Sequence, residues 1–211
     1  MNNKEDSFSE LLKTESFFLL IKPEDNIYSN HSIRNSFFEE LDSLVKLGLK
    51  NIEISWSKNE NWLKFVSEIK LKYPKINLGS ASILNKQSIE NSLEIGLNFS
   101  MMKFWDKDLF SYAKSKNYLL IPGIKNLKDL DEAINLNCKI IKIYPVKSKD
   151  SSIDILNFKN IDFIAAGDLS INDVKTYKSL GYTAIVIGDK GIKNKKFDPK
   201  IYEWLKNNKN N

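Results

Sequence analysis

The sequence predicts a single α/β domain, a (β/α)8 barrel with a parallel eight-stranded core. Three observations lead there. Eight short apolar runs recur roughly every 20–25 residues, and the segments between them carry helical periodicity. Runs such as FFLLI and AIVI are apolar on successive residues, as in strands buried on both faces. No linker rich in Pro, Gly or Ser divides the 211 residues, a length that suits one domain. The competing architecture is an open doubly wound sheet. Its dinucleotide-binding form calls for GxGxxG after the first strand, and that motif is absent.

The eight runs are 16–21 (SFFLLI), 51–55 (NIEIS), 76–80 (INLGS), 99–102 (FSMM), 118–121 (YLLI), 139–144 (KIIKIY), 161–165 (IDFIA) and 184–188 (AIVIG). Between the first two, Phe37, Leu41, Leu44, Val45 and Leu49 share one helical face. LGLKN, EIGLN and LGYT each put a glycine where a helix stops and a strand begins. Asn126 and Ser170 read as helix N-caps. The connection after the first strand, 22–32 (KPEDNIYSNHS), reads as a long polar loop and a candidate lid. The barrel core spans about residues 16–191; 192–211 form a C-terminal helix and tail.

Composition narrows the function classes. A net charge of +5 rests almost wholly on lysines scattered among Asp and Glu, with Arg34 the single arginine. That pattern argues against a nucleic-acid binder, which clusters cations and uses arginine forks. No stretch approaches the roughly 18 apolar residues of a membrane span. The start, MNNKEDSFSELLK, lacks the basic and apolar regions of a secretory signal, so the expectation is a cytoplasmic protein. One cysteine, Cys138, makes neither an internal disulfide nor a cysteine-based zinc site and reads as a small buried residue.

In such a barrel, function sits at the carboxyl ends of the strands. Two ionisable residues lie inside apolar runs there: Glu53 in the second and Lys142 in the sixth. Desolvating an ammonium is costly, so burial favours the neutral amine, the form that attacks a ketone to give an imine. Ile140 and Lys142 share one strand face, Ile141 and Ile143 the other. Glu53 is placed to relay protons. The competing reading is a Glu53–Lys142 ion pair with no chemistry. Trp56 and Trp105 either wall the pocket or pack under helices; Trp62 and Trp204 fit helix faces. His31, the lone histidine, reads as a surface-loop residue.

The order and spacing of IEIS, GSASIL (79–84), IPGIKNLKDL (121–130), KIIKIYPV (139–146) and IAAGDLSINDV (164–174) resemble the 2-keto-3-deoxy-6-phosphogluconate (KDPG) and 4-hydroxy-2-oxoglutarate aldolases, from about Phe17 to Gly191. The resemblance implies a class I aldolase that cleaves a small 2-keto acid to pyruvate and an aldehyde. It implies Lys142 as Schiff-base residue, Glu53 as acid/base, and Ser82, Lys22, Pro122, Gly123, Gly167 and Gly188 as substrate-binding residues. It implies a homotrimer with no metal or cofactor. The chain departs from the family pattern at Ser57, where an arginine is usual, and at Met102-Lys103. It departs again at 165–168 (AAGD) and 188–189 (GD), where Asp168 and Asp189 put carboxylates in the loops that normally cradle a phosphate; Lys22, Lys103 and Lys190 are candidates to neutralise them. These departures support a rival, a catalytically retired barrel that binds a small molecule or a protein. A third reading, a phosphate-binding barrel of the thiamine-phosphate synthase type, is disfavoured by the same two aspartates.

Overall fold

The computed structural model describes residues 3–14, 16–147, 153–193 and 196–208. Its centre is a ring of parallel strands: β1 (Phe17–Ile21), β2 (Asn51–Ser55), β3 (Asn77–Ile83), β4 (Phe99–Met102), β5 (Leu120–Ile121), β6 (Gly123–Ile124), β7 (Ile140–Ile143), β8 (Asp162–Ala166) and β9 (Ala184–Ile187). Their order is β5-β4-β3-β2-β1-β9-β8-β7-β6. The two ends of that order, β5 and β6, are separated in sequence by Pro122 alone. The ring therefore closes through the chain itself, with β5 paired to β4 and β6 to β7. The eight expected runs are the eight staves, and the fifth is interrupted. Proline has no N–H to give a ladder, yet the Pro122 carbonyl accepts from Lys142 N at 2.9 Å, so the seam still carries a hydrogen bond.

Helices α1 (Asn3–Thr14), α2 (Asn26–Ser29), α3 (His31–Lys46), α4 (Trp62–Lys72), α5 (Lys86–Ile95), α6 (Lys107–Ser115), α7 (Leu127–Asn135), α8 (Val174–Ser179) and α9 (Pro199–Asn207) complete the domain, with a small antiparallel hairpin of β10 (Ile192–Lys193) and β11 (Lys196–Phe197). The first βα connection is not the open polar loop that its composition suggests. α2 and the start of α3 fill it, because the Asn30 side chain accepts from Ile33 N at 3.1 Å and starts α3 two turns earlier than the apolar stripe implies. Asn126 caps α7 as expected, accepting from Asp129 N at 2.9 Å. Ser170 N and Oγ both donate to the Asp173 carboxylate, but the turn they frame is a 3-10 turn, Ile171–Asp173, before α8 begins. Gly96 ends α5 in the left-handed region, at φ +70°.

Side chains on alternate strand positions go to different cores. Ile52, Ile54, Ile141 and Ile143 face outward and pack under the helices. Phe18, Phe99, Met101, Ile140, Ile164 and Val186 face inward and fill the barrel. α1, which the sequence reading leaves undescribed, caps the amino-terminal end of this interior with Phe8 and Leu12. The Phe8 ring lies 4.8 Å from that of Phe99. Each of these two burials is worth about 1.5–3 kcal/mol. The interior is packed below, and a cavity opens at the carboxyl ends of the strands. No helix among the described residues is long and apolar enough to cross a membrane.

Candidate active site

The open end of the barrel holds a cavity of about 760 Å³. Glu53 and Lys142 both line it and are nonetheless 1% and 6% exposed, so they lie deep inside it. Glu53 is in register with Leu20 on β1 and Gly79 on β3. A Cβ on Gly79 would stand 2.4 Å from the Phe99 ring, so the glycine gives that ring room in the row beside Glu53. Lys142 is in register with Gly123 on β6 and Ile164 on β8. Its Nζ lies 5.8 Å from the centre of the Tyr144 ring.

Burial acts on the two groups in the expected directions. It pushes the Glu53 carboxyl up, to about 7, with the Lys142 charge pulling back. It pushes the Lys142 ammonium down, with Glu53 opposing. The two interact through their charges, and Glu53 Oε2 has no hydrogen-bond partner among the described residues. Burial favours both neutral forms and the mutual attraction favours both charged ones, so the two groups titrate as a pair.

Ser82 lies at the end of β3, where the ladder to β4 shifts register between Ser80 and Ile83. It takes a left-handed backbone, φ +60°, and its hydroxyl accepts from Ser55 Oγ at 3.1 Å. The Trp62 indole N–H donates to the Ser55 carbonyl at 2.9 Å and fixes the end of β2. Four lysines and two aspartates stand at the rim: Lys22, Lys103, Lys147 and Lys190 with Asp168 and Asp189.

Of the residues expected at the site, Glu53, Lys142, Ser82, Lys22, Gly167 and Gly188 line the cavity. Pro122 and Gly123 do not. Pro122 occupies the seam between β5 and β6, and a Cβ on Gly123 would stand 2.4 Å from the Lys103 carbonyl oxygen, so this glycine serves close packing against the end of β4. Of the lysines considered as partners for the rim aspartates, Lys22 pairs with Asp189 and Lys190 with Asp168, each at 2.8 Å. Lys103 instead lies over the Phe104 ring at 5.3 Å.

Trp56 and Trp105 pack against the helix-side cores, and neither lines the cavity. His31 is an exposed residue at the start of α3. Cys138 is buried, and burial pushes its thiol up to about 12. Lys147 was not legible as a site residue; its signal is its place just past Tyr144-Pro145, on the loop that leaves the Lys142 strand. Among the described residues, no group of three or more His, Cys, Asp or Glu is placed to hold a metal ion.

Fold and site together define an α/β barrel enzyme class with an amine and a carboxyl buried at the carboxyl end. The family model of KDPG and KHG aldolases matches residues 32–203. The chain belongs to that aldolase family. Its fold is similar to the KDPG aldolase of Zymomonas mobilis ZM4 crystallised with 3-phosphoglycerate (TM-score 0.77, 18% identity, 97% of this chain and 95% of that one). It is also similar to the KDPG aldolase of Legionella pneumophila with pyruvate captured as a covalent carbinolamine (TM-score 0.74, 12% identity, 94% of each chain). A stretch of 102 residues is 34% identical to a phosphoribosyl imidazole-4-carboxamide isomerase of Buchnera aphidicola, covering 47% of this chain. The chain spans only 37% of that curated relative's length.

Proposed function

We propose that the chain is a class I aldolase that cleaves a 2-keto acid to pyruvate and an aldehyde. The observation that carries this reading is the burial of Lys142 and Glu53 on facing strands of one cavity. The neutral Lys142 amine attacks the ketone carbon, and loss of water from the carbinolamine leaves a protonated imine. A base takes the proton of the C4 hydroxyl, the C3–C4 bond breaks, and its electron pair moves into the imine to give an enamine. The aldehyde departs, C3 is protonated, and water releases pyruvate and the free amine. Glu53, the acid whose protonated form burial favours, carries protons to and from the carbinolamine and C3. Ser82 holds the substrate carboxylate, and the net positive rim attracts it.

Borohydride trapping with pyruvate tests the reading. A reduced adduct mapped by peptide mass to Lys142, absent in Lys142→Met, supports it; no adduct anywhere on the folded chain turns the assignment to a retired binding barrel. The family resemblance further suggests a cytoplasmic homotrimer, which light scattering of the purified chain tests for its oligomeric part.

A further inference from the structure

The rim carries an ordered arc of charge. Lys22 follows β1, Asp189 and Lys190 follow β9, Asp168 follows β8, and Lys147 lies on the loop that leaves β7. These four strands are neighbours in the ring. Lys22 Nζ meets the Asp189 carboxylate at 2.8 Å. Lys190 Nζ meets the Asp168 carboxylate at 2.8 Å and its carbonyl at 3.0 Å. Lys147 Nζ donates to the same Asp168 carbonyl at 2.9 Å. The charges alternate +, −, +, −, + along half of the mouth. The Ser55–Ser82 hydroxyl pair stands on the other half, at the ends of β2 and β3. On the aldolase reading, a 2-keto acid held as an imine on Lys142 with its carboxylate at Ser82 would have the arc on its other side for the tail.

The arc treats a phosphate and a hydroxyl differently. A phosphate dianion has only acceptors to offer. It gains from the ammonium groups but faces two carboxylates of its own sign, and seating it breaks both ion pairs. A hydroxyl donates to a carboxylate and accepts from an ammonium at once, so a polyol chain lies along the arc with every pair intact. Four lysines against two aspartates leave the rim a net +2 among the described residues, which still attracts the carboxylate at the other end of the substrate.

From this arrangement we infer that the tail subsite takes an uncharged, hydroxylated chain and discriminates against a terminal phosphate, with Asp168 and Asp189 as the specificity-determining residues. The co-product is then a neutral polyhydroxy aldehyde. The inference rests on the aldolase reading for its reaction, while the arc's preference also shows in binding alone.

The test compares kcat/KM for 2-keto-3-deoxygluconate and its 6-phosphate. The unphosphorylated acid is expected to lead by about tenfold or more, a difference of about 1.4 kcal/mol. The double variant Asp168→Asn/Asp189→Asn is expected to move the ratio about tenfold or more toward the phosphorylated acid, whereas Asp189→Glu, which keeps the charge, leaves the unphosphorylated acid ahead. A wild-type ratio near one or in favour of phosphate overturns the inference, as does a ratio that the double variant leaves in place. If pyruvate gives no trapped adduct, the aldolase reading fails separately. Calorimetric titration with gluconate and 6-phosphogluconate then probes the arc: tighter gluconate supports it, and equal or tighter 6-phosphogluconate overturns it.

Discussion

Glu53 on β2 and Lys142 on β7 stand opposite each other across the barrel, four staves apart whichever way the ring is followed. Both point to the axis, and each supports the other's charge against the burial that opposes it. Burial holds the amine below its ordinary 10.5, and the Glu53 charge restores part of that loss. The rate of pyruvate trapping is therefore expected to rise with pH and level off well below 10.5. In Glu53→Gln the restoring charge is gone, so the midpoint moves to lower pH. Carbon–carbon cleavage at the optimum meanwhile falls by about 10²–10⁴, the usual worth of a positioned acid or base. Initial trapping rates measured from pH 5 to 10 check the direction; a midpoint that stays or climbs removes Glu53 as the partner of this amine.

Lys142→Met replaces the amine with an apolar side chain of similar length and leaves Glu53 alone in the barrel. Lys142 is what pulls the Glu53 carboxyl down, so in the variant it rises above about 7. A carboxyl whose folded value exceeds its ordinary 4.5 contributes stability that is full below 4.5 and is lost as pH rises through the folded value. The variant is expected to match or exceed the parent near pH 5. By pH 8 it is expected to fall behind by up to about 3–5 kcal/mol, the cost of an orphaned buried charge. Lys142→Met/Glu53→Gln removes the slope. Denaturant midpoints at the two pH values decide; a pH-independent deficit in the single variant contradicts the linkage.

The staves were legible because strands buried on both faces read as unbroken apolar runs, and this is also why Glu53 and Lys142 stood out. A charge costs little on a surface and much inside such a run. The interruption at Pro122 was visible as a residue but not as a seam, since ring closure depends on pairings to β4 and β7 that lie far away in sequence. α1 escaped because its buried face is only Phe8 and Leu12, too sparse to register as a periodic stripe. The pairing of Lys22 with Asp189 joins loops 167 residues apart; the sequence offers both partners but no reason to prefer Lys22 over Lys103. Pro122 and Gly123 were drawn to the site by a motif whose local role is closure and packing.

Gly79 tests how far the interior tolerates added volume in the row beside Glu53. Its missing Cβ would lie 2.4 Å from Cζ of Phe99, a residue fully buried between α1 and the barrel floor. Gly79→Ala is expected to destabilise by about 1–3 kcal/mol, the usual cost of overpacking. Phe99→Leu alone loses ring packing, but combined with Gly79→Ala it opens room for the methyl group, so the double variant loses less than the sum of the two. A denaturant double-mutant cycle reads the coupling; strictly additive losses mean that the ring does not fill that space.

Ser82 joins a strained backbone to a hydroxyl at the cavity wall. At φ +60° a side chain with a Cβ is disfavoured by about 1–2 kcal/mol. Ser82→Ala keeps the strain and loses the hydroxyl; Ser82→Gly loses both. Because the two variants lack the same hydrogen bond to Ser55, their difference isolates the backbone. Ser82→Gly is expected to exceed Ser82→Ala in stability by about 1 kcal/mol, after allowing for glycine's greater freedom when unfolded. Both are expected to raise KM for the 2-keto acid by roughly tenfold, as the loss of one hydrogen bond to a charged carboxylate implies. Equal stabilities remove the strain, and an unchanged KM in both variants removes Ser82 from the carboxylate's binding site.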